Sequence, residues 1–263
     1  MRALYEAAAD GDLADVEAAL YWGQDPNEFA ADGNSPLGAA AIGGHADIVA
    51  ALVAAGADVH ATAKYGNAPI HRAASRGHVE VVAMLVGAGA TIDAHDVRGN
   101  TALHRAASEG HADLVRWLVD NGADREAKGA LGNTPIALAA TEGRDAAVGL
   151  LLERGAEVDV RDDFFKTPLH RAAVGGHQTT AVLLLDAGAS VDAADMLGQT
   201  PLGLAAFKKH VAVAKLLVAR GADPGKVSAA PDPSLGIAGG DLSEVLRTVL
   251  AATPADGRQA AAD

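Results

Sequence analysis

Gly99–Asp124, which reads GNTALHRAASEGHADLVRWLVDNGAD, decides how the chain folds. An opening Gly and a Thr cap lead into a short helix with an apolar period. A Gly-His break and a second apolar helix follow, and Gly-Ala-Asp closes the stretch. The same punctuation returns every 33 residues: Gly-Ala pairs stand at Gly56, Gly89, Gly122, Gly155, Gly188 and Gly221. Gly precedes His at Gly44, Gly77, Gly110 and Gly176, while Gly143 is followed by Arg144. A fixed period of this length means stacked units, each burying its apolar face on its neighbours.

Inside each unit the residues explain the elements. Ser35, Thr101, Thr134, Thr167 and Thr200 stand where a hydroxyl caps an orphan N–H of the first helix. Pro36, Pro135, Pro168 and Pro201 follow at a position that needs no N–H, and Ala68 loses the cap in the third unit. Small pairs such as Ala73-Ala74 and Ala106-Ala107 let paired helices approach closely. Val81, Val82, Leu85 and their counterparts Leu114, Val115, Leu118 are the expected core of the second helices. Trp117 falls in an apolar second-helix slot and reads as core, whereas Trp22 maps to a solvent-side position and stays open.

The run Thr167-Pro168-Leu169-His170-Arg171-Ala172-Ala173, with the period, resembles the ankyrin repeat. The resemblance implies an all-α solenoid of paired antiparallel helices, with β-hairpin fingers along one edge and a concave binding face. It divides the chain into a degenerate N-terminal capping unit at 1–30 and regular units at 31–63, 64–96, 97–129, 130–162, 163–195 and 196–228. A shortened closing unit at 229–252, with one amphipathic helix over Asp241–Ala252, and a disordered tail at 253–263 complete it.

Departures from the pattern carry information. The fifth unit has Ala137 and Arg144 in the two His slots, so it is expected to lose both His-mediated bonds. The sixth has Phe165-Lys166 for Gly-Asn, and the seventh has Lys209 for the Gly before His210. A side chain forced to positive φ costs on the order of 1 kcal/mol. The array is therefore expected to be weakest from the fifth unit onward.

Composition excludes several chemistries. With no Cys there are no disulfides and no zinc–thiolate sites. The apolar run Ile48–Ala57 is far short of the roughly 18 residues of a membrane helix. No leader sequence is legible, so a soluble cytoplasmic protein is expected. Residues 1–60 carry ten acidic side chains and one basic, and the whole chain carries a net charge of −13. Such a field repels phosphate backbones, which argues against nucleic acid as a partner. Polar end units argue against self-stacking, so a monomer is expected.

The ten His do not argue for a metal. His45, His78, His111, His177 and His210 share one slot of the period, and His71, His104 and His170 share another. A residue that recurs with the repeat serves the repeat's own loops, while His60 and His95 fall in the fingers and face solvent. The stretch Gly221–Ser228, GADPGKVS, lacks the glycine spacing of a phosphate loop, and no HExxH or nucleophile elbow is present. No catalytic residue, cofactor or metal is expected.

What the framework does not dictate is free to recognise a partner. By the resemblance, contacts come from finger tips and from the exposed side of the first helices. Carried onto this chain, the fingers present Phe29, Lys64, Tyr65, Val97, Arg98, Leu131, Phe164, Phe165, Met196 and Leu197. The first helices present Arg72, Arg76, Arg105, Glu109, Glu142, Arg171, Phe207 and Lys208. Aromatics beside Arg are the composition of binding hot spots. Lys64, Arg72, Arg76, Arg98 and Arg105 make a basic spot that either receives a partner's carboxylates or is neutralised internally by Glu109 and Asp96. The expected function is non-catalytic protein–protein recognition. A stoichiometric inhibitor of the immunity type, masking a basic site, and a regulatory subunit of an enzyme complex remain as alternatives.

Overall fold

The structure, a computed structural model, describes residues 3–31, 33–63, 66–227 and 251. The expected closing helix Asp241–Ala252, the tail and the candidates Lys64 and Tyr65 lie outside those residues, residue 251 apart. The chain divides into two compact units, residues 1–130 and 131–263. Fourteen α-helices stand among the described residues, every one between seven and nine residues long.

The first unit holds four helix pairs: α1 (Leu4–Asp10) with α2 (Leu13–Tyr21), α3 (Pro36–Gly43) with α4 (Ala46–Ala54), α5 (Pro69–Arg76) with α6 (Val79–Gly87), and α7 (Ala102–Glu109) with α8 (Ala112–Asp120). Helices α1, α3, α5 and α7 pack in succession, as do α2, α4, α6 and α8. The degenerate opening segment is thus a complete helix pair. The second unit repeats the arrangement with α9 (Pro135–Thr141) and α10 (Asp145–Glu153), α11 (Pro168–Gly175) and α12 (Gln178–Asp186), and α13 (Pro201–Phe207) and α14 (Val211–Ala219).

The core follows the sequence period. First helices bury Leu37, Ile70 and Leu103 in the first unit and Ile136, Leu169 and Leu202 in the second. Second helices bury Leu52, Leu85 and Leu118, then Leu151, Leu184 and Leu217. Each such side chain contributes roughly 1.5–3 kcal/mol when fully buried. A neighbouring slot thins for two repeats: Ile48, Val81 and Leu114 in the first unit give way to Ala147 and Thr180 in the second, and Val213 then restores it. Trp117, expected in the core, is only half-buried. Its ring is larger than the Met84 and Leu150 of the same slot, and it spreads to the surface.

The fingers are turns rather than ladders. Asp96 N–H reaches Asn100 O at 2.9 Å, Asp162 N–H reaches Lys166 O at 3.2 Å, and Asp195 N–H reaches Gln199 O at 3.0 Å. Among the described residues no strand forms, so the expected β-hairpin shrinks to its turn. The cause is local. Oδ1 of Asp96 accepts from Arg98 and Asn100, that of Asp162 from Phe164 and Lys166, and that of Asp195 from Leu197 and Gln199. These side chains take N–H groups that a ladder would need.

The first-helix histidines fasten the helix start. At Thr101 and Thr167 the expected hydroxyl cap is replaced by a bond to the ring: His104 Nδ1 and His170 Nδ1 each accept from the Thr N–H and lie 2.9 and 2.8 Å from its hydroxyl. Ser35 and Thr200 keep the simpler cap on Gly38 and Gly203. Ala137 leaves Thr134 without this partner, and the buried Thr134 hydroxyl has no hydrogen bond. Arg144 occupies the other His slot and has a polar or charged partner of its own.

Positive φ appears where the sequence lost its Gly. Gly176 turns at φ 74° to end α11, and a Cβ there would lie 2.6 Å from His210 Nδ1. In the matching slot of the next repeat Lys209 adopts φ 62°, and Phe165 adopts φ 59° in the finger slot that Gly99 fills elsewhere. Leu131, at φ 57°, is a third such residue and was not legible, because a Gly follows it in the expected place.

Two outcomes follow. Thr134→Val, which removes an orphaned hydroxyl, is neutral or stabilising. The same change at Thr101 or Thr167 is destabilising by about 1–2 kcal/mol, as urea unfolding will show. In amide exchange the repeats from residue 130 onward open before those at 64–129.

Candidate interaction surface

The second unit carries its largest exposed apolar side chains on the fingers. Leu131 is 59% exposed, Phe165 52%, Met196 55% and Leu197 38%. The finger tips are tied together, since Asp163 N–H reaches Leu131 O at 3.1 Å and Met196 N–H reaches Phe164 O at 3.0 Å. The two phenylalanines part ways. Phe165 faces solvent with the Arg161 guanidinium 5.9 Å from its ring centroid, while Phe164 is half-buried under the Lys166 ammonium at 5.6 Å. Arg161 also donates to Ala194 O of the next finger, so the row is held in place.

The rest of this unit's candidates spread out. Glu142 is exposed at the end of α9, and Phe207 and Lys208 are half-buried at the end of α13. Arg171 is bonded to Asp162 of its own finger. In the first unit Phe29 and Val97 are exposed fingertip residues, and Arg76, Arg98 and Glu109 are exposed as well.

The basic spot is smaller than the sequence suggested. Arg105 Nη2 lies 2.5 Å from Asp96 Oδ2 and also reaches Asn67 Oδ1, so internal neutralisation holds there. Burial pushes the Asp96 carboxyl up, but bonds from the Asn100 N–H, the Arg105 side chain and the Arg98 N–H outweigh it and hold the pKa below the usual range. Arg72 differs. It is half-buried and, among the described residues, its partner is the uncharged Asn34 side-chain oxygen. Its charge is not cancelled there.

The comparisons with known proteins bear on this arrangement directly. A family model described as ankyrin repeats, three copies, matches residues 4–96, 88–162 and 159–228. The chain belongs to the ankyrin-repeat family. Among solved structures, the human ASB11 ankyrin repeat domain is similar at 31% identity and a TM-score of 0.78, covering 85% of this chain and all of that one. Among curated proteins nothing matches.

Some of what matters in this ankyrin array was hidden. Lys166 is 2% exposed and its ammonium lies 3.3 Å from the buried Asp195 Oδ2. Asp96 and Asp162 pair with an Arg on the following helix, but the corresponding residue for Asp195 is Leu204. Lys166, from the previous finger, supplies the charge instead. The signal was present as two simultaneous departures, Lys for Asn and Leu for Arg. Tyr21 and Trp22 were also missed as a pair: they are 83% and 68% exposed and meet edge to face at 5.5 Å.

The ankyrin histidines are committed to the stack. His71 and His170 donate from Nε2 to Ala94 O and Gln199 O, at 2.8 and 3.1 Å. In the other slot, His78, His111, His177 and His210 donate to carbonyls that end the preceding first helix. Among the described residues no group of three or more His, Asp or Glu is placed to hold a metal ion.

Burial pushes the His170 pKa down to about 4, and His71 is lowered for the same reason. Both are neutral in the fold, with Nδ1 an acceptor. The unfolded chain takes up these protons below pH 6.5, whereas the fold resists both and refuses the His170 proton until about 4. Stability is therefore fully present above pH 6.5 and declines as pH falls toward 4, by on the order of 3 kcal/mol for His170. Urea midpoints across that range will show the decline, and His170→Asn will flatten it.

Proposed function

We propose that this ankyrin array is a non-catalytic protein-recognition module. Its ligand is a partner protein held by the finger tips and by the exposed side of the first helices. The observation that supports this reading most is the apolar row Leu131, Phe165, Met196 and Leu197. Four large side chains stand in water on turns that are bonded to one another. Isolated exposed leucines are unremarkable, but a positioned group with an Arg over an aromatic ring has the make-up of a binding hot spot. In the first unit Arg72, Arg76 and Arg98 offer charge to the same partner. The partner reading assigns no catalytic role to any residue. It describes a cytoplasmic monomer built of ankyrin repeats.

A second reading, a stoichiometric inhibitor that masks a basic site, is favoured by the ten acidic and one basic side chains of residues 1–60. Tight one-to-one association that weakens steeply with salt separates it from a general scaffold.

The test is capture from the source organism's lysate with mass spectrometry, followed by affinity measurement with the purified partner. The double variant Phe165→Ser/Met196→Ser loses about tenfold or more in affinity while its melting temperature is unchanged. Unchanged affinity in that variant removes the finger row from the interface. Arg72→Ala/Arg76→Ala tests the basic spot separately.

A further inference from the structure

An open pocket of about 320 Å³ lies beside the start of α1, and the finger row does not involve it. Its walls come from the start of α1 and from the loop that leads to α3, and they include Tyr5, Glu6, Asp25, Glu28 and Phe29. We propose that this cavity receives an arginine side chain of the partner protein. The proposal deepens the recognition reading by naming one chemical feature of the partner.

The walls are held before any ligand arrives. Gln24 Oε1 accepts the Leu4 N–H at 2.8 Å and ties the loop to the helix start. Asp25 Oδ1 accepts the Asn27 N–H at 2.9 Å and fixes the turn. Two carboxylates are left for a ligand: Glu6 and Glu28 are exposed, and neither side chain has a partner among the described residues. Tyr5 is half-buried and Phe29 is 47% exposed, so both aromatic residues lie at the solvent boundary.

The chemistry selects the occupant. A cavity of this size admits a whole side chain together with its flanking backbone. Aromatic faces attract a cation and carboxylates bind it, and ten acidic side chains against one basic in residues 1–60 bring cations toward this end. An anion is disfavoured twice over, by the carboxylates and because the Leu4 N–H at the helix start is already taken by Gln24. A metal ion is disfavoured because, among the described residues, no group of three or more metal-ligating side chains forms. Between the cationic side chains, the planar and weakly hydrated guanidinium stacks on rings and spans two carboxylates, which a compact ammonium does not.

The experiment uses the full chain and two blocked tripeptides, acetyl-Gly-Arg-Gly-amide and its citrulline counterpart, followed by NMR. Citrulline keeps the shape of arginine and removes its charge. The arginine peptide is expected to shift the resonances of Tyr5, Glu6 and Phe29 saturably. The citrulline peptide and the double variant Glu6→Gln/Glu28→Gln each bind about fivefold more weakly or less. Phe29→Leu, which keeps the bulk and removes the ring, also weakens binding. Equal binding of both peptides overturns the proposal, as does an unchanged affinity in the Gln variant or a response that misses Tyr5 and Phe29. The peptide assay needs no natural partner, so its result stands apart from that of the Phe165→Ser/Met196→Ser capture. A captured partner whose affinity ignores Glu6→Gln/Glu28→Gln likewise overturns the arginine assignment while leaving recognition by the fingers intact.

Discussion

A neutral imidazole bridging a helix start and the following finger is the contact on which this stack depends. His170 shows the geometry in full: Nδ1 accepts from the Thr167 N–H and hydroxyl, and Nε2–H donates to Gln199 O. The ring does two things at once. It satisfies the helix terminus, whose N–H groups would otherwise be orphaned, and it fixes the height of the next repeat. Protonation would turn Nδ1 from acceptor to donor and break the bond at the helix start, and burial keeps the ring uncharged. The same fact accounts for why so many histidines leave so little chemistry available. Their polar atoms are already occupied.

Much of this was legible because repetition turns single weak signals into agreement. The apolar slots at Leu52, Leu85 and Leu118, and the Gly-to-Lys departure at Lys209, could be read from spacing alone, and the structure places them as expected. What spacing could not show is how polar side chains divide the N–H groups of a finger. Asp96, Asp162 and Asp195 look like ordinary turn residues in sequence, yet their carboxylates displace the strand ladder. Leu131 was hidden for a related reason. Its own residue type breaks no rule, and only the finger's geometry reveals its positive φ.

The candidate surface was legible in kind and less so in detail. Fingertip positions were correctly read as exposed for Phe29, Phe165 and Met196, because a tip has nothing to pack on. Side chains on the helix side of the fingers were harder. Arg105 and Arg171 occupy one slot with Arg72, but only the first two have an Asp on their own finger. Position in the repeat gives direction, and the neighbour's identity decides whether the charge is available. An ankyrin array thus separates its surface into members that hold the frame and members left over for recognition, and the division must be made residue by residue.

The pair formed by Lys166 and Asp195 makes two successive fingers dependent on each other. Each repeat resembles an interchangeable brick, but residues 163–195 carry both halves of this buried pair, one near each end. A splice placed inside that span would leave the carboxylate unanswered. A library that shuffles these modules would have to move residues 163–195 as one cassette.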